Sequence, residues 1–172
     1  MAPGPLAACA YLAIVVLAAI FADFLSPHDP LKIDPNNILA YPNAGHLLGT
    51  DELGRDLLAR IVYGGRVSLE VAFLAIALAG TIGVPLGMVI AFSGRRLETL
   101  AMRLVDVFVS LPEIFVAIVI LAFAGGGLTT LIVTIGLLYF PQFARVAYGM
   151  TRSIRAREHV LSAISLGAGT GW

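Results

Sequence analysis

Charge is scarce in this sequence. Only 13% of its 172 residues are Asp, Glu, Lys or Arg, against roughly 25% in an ordinary globular chain. The 11 basic and 11 acidic side chains cancel. That leaves no basic excess to hold a phosphate backbone, so nucleic acid is excluded as a partner. A single cysteine, Cys9, excludes a disulfide within the chain. Its setting, Leu6-Ala7-Ala8-Cys9, has the form of a lipoprotein cleavage box. The apolar stretch follows the cysteine, however, and no Lys or Arg precedes it, so Cys9 reads as a small residue facing lipid or another helix. There is no G-x-x-x-x-G-K-[ST] loop for ATP phosphates and no H-E-x-x-H zinc pair. His28, His46 and His159 stand on different segments and predict no shared metal site. Ser68 and Ser110 have no histidine beside them to act as a base. The sequence thus offers no catalytic residues and no cofactor site, and an enzyme is not expected.

Apolar length is abundant instead. Hydrophobic residues make up 59% of the chain. They are gathered into four runs, at 6–25, 71–92, 104–124 and 128–148, each close to the ~20 residues that cross a bilayer as a helix. The expected fold is an all-α membrane protein with four transmembrane helices. Three parts follow: a first transmembrane helix over 1–25, an external segment over 26–70, and a helical core over 71–172.

Orientation follows from Lys and Arg in the short connections. Arg95, Arg96 and Arg103 crowd the connection after the second run, and Arg152, Arg155 and Arg157 follow the fourth. The longer 26–70 segment carries only Lys32, Arg55, Arg60 and Arg66, mixed with acids. The denser side is expected to be cytoplasmic, which also places the amino terminus inside.

Within 26–70, the Pro-, Asn- and Asp-rich first half favours turns. From Thr50 the pattern changes. Thr50 or Asp51 can cap a helix start, and Leu53, Leu57 and Ile61 recur every four residues with Leu58 and Val62 beside them. Asp56 and Arg60 are spaced to pair. The spacing predicts a short amphipathic helix on the outer surface, ended by Gly64-Gly65.

Inside the runs, Gly83-x-x-x-Gly87 permits close helix packing, within the chain or between copies, and Pro85 should bend its helix. Asp106 sits near one end of the third run, within reach of the interface and of Arg103. Glu113 lies about half-way across, where a carboxylate costs about 2.5–3.5 kcal/mol. It must face protein or a water-filled path; both roles stay open, and a proton-linked secondary transporter or small channel built on Glu113 is the alternative reading of the chain.

Three stretches carry a resemblance. "HLLGTDELGRDLLARIVYGGRVSL" (46–69), "AMRLVDVFVSLP" (101–112) and "REHVLSAISLGA" (157–168) resemble, in order and spacing, the permease subunits of ATP-binding-cassette importers of the dipeptide, oligopeptide and nickel branch. His46, Leu48, Gly49, Thr50, Asp51, Gly54, Arg55 and Asp56 match the family's outer motif, with Leu47 where proline is usual. Met102, Arg103, Asp106 and Pro112 match a second motif. The resemblance implies a multi-pass protein of the bacterial inner membrane that imports peptides. Its implied partners are a second permease, two ATPase subunits and an external substrate-binding protein. It also implies that Arg157, Glu158, Leu161, Ser162, Ala163 and Gly167 form a cytoplasmic coupling helix that docks an ATPase; Ala163 and Gly167 match that motif, whereas Leu161 and Ser162 depart from it. Family members continue through two further spans, so the chain is expected to be a fragment ending inside the coupling motif.

Overall fold

The computed structural model describes residues 3–167. Among these it contains seven α-helices and no strand. The helices are α1 (Pro3–Ile20), α2 (Ala22–Leu25), α3 (Leu57–Phe92), α4 (Arg95–Ser110), α5 (Glu113–Ala124), α6 (Leu128–Arg155) and α7 (Glu158–Ser165). The chain divides into two compact units, one up to Val71 and one from Ala72.

In the first unit, α1 and α2 lead into an irregular segment, residues 26–56, that folds over the start of α3. Tyr63 of α3 donates to Asp23 at 2.7 Å, and Arg66 reaches the same carboxylate at 3.5 Å. The expected amphipathic helix from Thr50 to Gly64-Gly65 does not form. Residues 50–56 are a loop, closed by an isolated bridge between Thr50 and Asp56. The helix starts at Leu57 and continues through both glycines to Phe92. A helix-interior glycine costs only about 1 kcal/mol relative to alanine, less than breaking the hydrogen-bond ladder inside an apolar run.

In the second unit, α6 is the centre, packed by α4 and α5 and by the second half of α3. Its contact with α3 runs through glycines. A Cβ on Gly83 would stand 2.4 Å from the Phe140 carbonyl oxygen, and one on Gly87 would stand 2.2 Å from that of Ala144. Gly136 meets Leu78 in the same way, at 2.7 Å. The Gly83-x-x-x-Gly87 face is therefore taken up by packing within the chain. Small buried residues (Ala75, Ala79, Ala91, Ala144) let the backbones approach, the mode that serves helices without a hydrophobic drive between them.

Among the described residues two helices, α3 and α6, are long and apolar enough to cross a membrane, and α4 with α5 makes a third candidate. The expected continuous helix over 104–124 is instead broken. Leu111 is extended (ψ 134°), Pro112 follows, and the two halves meet at 84°. The proline ring disfavours helical backbone at the residue before it. Pro85, by contrast, sits inside an uninterrupted α3. Large apolar side chains such as Phe73, Val89 and Phe123 stand exposed, as expected of surfaces that meet lipid or another subunit.

Candidate functional site

The motif of residues 46–56 is a hydrogen-bonded knot in which nearly every residue has a structural task. Gly49 and Gly54 take positive φ, 78° and 74°, open to glycine at little cost. A Cβ at Gly54 would lie 1.8 Å from the Asp34 carbonyl oxygen. Thr50 is buried; its hydroxyl accepts from the Ala40 amide at 2.8 Å and donates to the Asn37 carbonyl. Asp51 accepts from the amides of Leu53 (2.8 Å) and Arg55 (2.9 Å), and pairs with the guanidinium groups of both Arg55 and Arg60. Burial pushes the Asp51 carboxyl up, but those amides and Arg55 outweigh it and hold the group well below the usual carboxylate range.

Asp56 is 4% exposed. It accepts from the Ala59 amide at 2.7 Å, capping α3, and from His46 Nδ1 at 2.9 Å. Its pKa is lowered as well: burial opposes ionisation, and the Ala59 amide and His46 favour it more strongly. The expected pairing of Asp56 with Arg60 is therefore replaced, because Asp51 takes Arg60 and His46 takes Asp56.

A second constellation runs along α6. Gln142, Arg145, Tyr148 and Arg152 recur at three- and four-residue spacing, which puts them on one helix face. Each meets an acid from α4 or α5. Gln142 donates to Glu113 at 3.2 Å, Arg145 pairs with Asp106 at 2.5 Å, and Arg152 pairs with Glu98 at 2.7 Å while the Tyr148 hydroxyl donates to the same carboxylate. Asp106 thus pairs with Arg145, not with nearby Arg103. Glu113 follows the break at Leu111-Pro112, at the first position of α5. The rung at Glu98 borders a cavity of about 480 Å³ with Arg95, Thr99 and Met102. The sequence reading missed the partners Glu98, Gln142, Arg145 and Tyr148. For the three on α6 the signal was the polar period at 142, 145 and 148, continued by Arg152; Glu98 on α4 had no such signal.

At the end of α6, Arg155 donates to the Ala91 carbonyl and lies over the Phe92 ring at 4.7 Å. This ties the last turn of α6 to the last turn of α3. After a turn at Ala156 the chain re-enters helix as α7, and Ser162 Oγ donates to the Glu158 carbonyl at 2.8 Å. Gly167 follows with φ 92°, the left-handed conformation that ends helices. Arg157 and Glu158 are exposed; the side chains of Leu161 and Ala163 lie outside the described residues.

Comparison with known proteins covers both units. Residues 83–172 match the family described as binding-protein-dependent transport system inner membrane component. Residues 3–43 match the N-terminal TM domain of oligopeptide transport permease C. The chain is 36% identical over 156 residues to a dipeptide transport system permease protein of Alkalihalophilus pseudofirmus, covering 91% of this chain and 51% of that protein. It is 33% identical over 173 residues to a di/tripeptide permease protein of Pseudomonas aeruginosa, covering 97% and 57%. A nickel transport system permease protein of Escherichia coli is 34% identical over 158 residues, covering 92% and 57%. The chain spans about half the length of the curated relatives it matches.

Proposed function

This chain belongs to the family of binding-protein-dependent transport system inner membrane components, and from that premise we propose that it is part of a permease subunit of an ATP-driven importer of di- or oligopeptides. The observation that carries this reading is the match to peptide permeases along 91–97% of the chain, which takes in both the 46–56 knot and the α4–α6 core. The permease itself does no chemistry. ATP hydrolysis belongs to two separate ATPase chains, and substrate arrives from an external binding protein. In the inner membrane the chain crosses four times, through α1, α3, the broken α4–α5 pair and α6, with the amino terminus and α7 cytoplasmic.

Two features support a division of labour. The polar stripe of Glu113–Gln142 and Asp106–Arg145 remains largely exposed although it sits among apolar segments. Charge in that position is placed against water or protein rather than lipid, so the stripe lines the translocation path facing the second permease. The α7 segment, with Arg157, Glu158, Leu161, Ser162, Ala163 and Gly167, docks an ATPase. The Arg155 anchor to Ala91 passes movement of that segment into α3.

The test is a chimera in which residues 1–172 replace the corresponding part of the Pseudomonas aeruginosa relative, expressed with that system's partners. Peptide uptake should be restored, and a cross-linker placed at Ser162 should capture an ATPase subunit. Uptake of nickel without peptide would correct the substrate. An assembled complex with no ATPase cross-link would remove the docking role.

A further inference from the structure

We infer that the 26–56 segment holds a divalent transition-metal site, with His28, His46 and Asp56 as its protein ligands. The three side chains come from separate turns, and each presents a ligand atom within 4.8 Å of the others. The rings of His28 and His46 face one another with centroids 5.1 Å apart. His46 Nδ1 and Asp56 Oδ1 are 2.9 Å apart. Two imidazole nitrogens and one carboxylate oxygen form a donor set that suits zinc, and equally nickel, cobalt or copper. It is a poor set for magnesium or calcium, which require oxygen ligands.

The geometry fits after small movements. Bonds of about 2.1 Å set ligand atoms about 3.4 Å apart in a tetrahedral site. The Asp56–His46 pair must therefore open slightly as the ion replaces the proton between them, and His28 must close in. His28 is free to do so: it is exposed, and its ring makes no hydrogen bond among the described residues. Asp56 is fixed by the Ala59 amide. A rigid buried carboxylate, a half-buried imidazole and a swinging exposed imidazole leave the fourth position open to water or to a ligand from outside.

The surroundings favour a cation. A cavity of about 210 Å³ opens on these three residues, and Asp29, Lys32, Asp34 and Gly54 complete its lining. Three carboxylates there face one ammonium. The glycines explain why the ligands meet at all. Gly54 brings the Asp34 turn against the motif, and Gly49 folds residues 40–42 back over it. An 18-residue separation between the histidines thus becomes one ring contact.

The test uses the purified full chain in detergent, carrying no polyhistidine tag and stripped of metal, titrated with Zn2+ by calorimetry and with Co2+ by visible absorption. One ion should bind per chain, Co2+ should show the intensified absorption of a four-coordinate site, and Mg2+ should not compete. His28→Ala should weaken Zn2+ binding by at least about tenfold, the low end of what even outer-shell changes cost a metal site, with the helical circular dichroism unchanged. His46→Gln keeps a donor to Asp56, so the loop stays folded, and should weaken binding at least as much. Absence of Zn2+ binding by the folded wild-type chain would overturn the site, as would binding of undiminished affinity in both variants.

Discussion

Arg145 in α6 holds Asp106 of α4 at 2.5 Å although 39 residues separate them, and the pair is about half exposed, at 48% and 58%. Its energetic weight depends on what surrounds it. With water nearby, such a pair contributes about 0–1 kcal/mol; in hydrocarbon, an unpaired partner would cost about 2.5–3.5 kcal/mol. A water-filled path requires the smaller value. Asp106→Asn should therefore leave the thermal stability of the detergent-solubilised chain within about 1 kcal/mol of wild type while impairing uptake in the chimera. A large loss of folded protein, recovered by the exchange Asp106→Arg with Arg145→Asp, would place the stripe in a dry interior instead.

Glycines divide into two kinds here. At Gly87 an added side chain meets the α6 backbone, whereas at Gly64 and Gly65 nothing lies within 4 Å. Gly87→Leu should destabilise by about 1–3 kcal/mol or more through overpacking. Gly64→Ala should be neutral or stabilise by about 0.5–1 kcal/mol, as expected inside a helix. Fluorescence-detected gel filtration after heating ranks the variants; destabilisation by Gly64→Ala would mean that the helix does stop there.

Asp51 predicts an acid-resistant knot. Its folded pKa lies below its unfolded value, near 3.9 for a free aspartate. The stabilisation it supplies is complete above that unfolded value and is lost only as pH falls toward the folded one. The amides of Leu53 and Arg55, both bonded to this carboxylate, should keep their slowed hydrogen exchange from pH 7 to pH 4 after correction for intrinsic rates. Asp51→Asn should lose that protection at pH 7. Loss in the wild type already at pH 5–6 would contradict the arrangement.

Orientation can be read by labelling. Asn43 and Arg96 are exposed; Asn43 precedes α3 in the sequence and Arg96 follows it. In a Cys9→Ala background, cysteine at position 43 should react with an impermeant reagent from outside, and cysteine at position 96 only after the membrane is opened. The reverse pattern would invert the proposed topology.

The docking role proposed for α7 carries a mechanical prediction. Arg155 joins the end of α6 to Ala91 and Phe92. Arg155→Ala should leave the spans inserted and the ATPase bound in the chimera, yet lower the uptake obtained per ATP hydrolysed. Unchanged coupling would assign Arg155 to packing alone.

Apolar run length was decisive by itself: bilayer thickness sets a helix length, so α3, α6 and the membrane class follow from composition in order along the chain. The 46–56 motif was legible as a motif but not as a shape: Thr50 or Asp51 was expected to cap a helix, whereas both stand in a loop closed by the Thr50–Asp56 bridge. The break at Leu111-Pro112 also had a local cause, the proline, which the apolar period around it obscured. What the tertiary structure alone decided is which polar group meets which. Asp56 could pair with Arg60 by helical spacing, but a loop replaced the helix, and the fold gave Arg60 to Asp51 and His46 to Asp56. His28 came to His46, and Arg145 to Asp106, across separations over which sequence spacing carries no information. Charged and polar partners far apart in sequence are chosen by how backbones pack; between α3 and α6 the small residues Gly83, Gly87 and Gly136 set that packing.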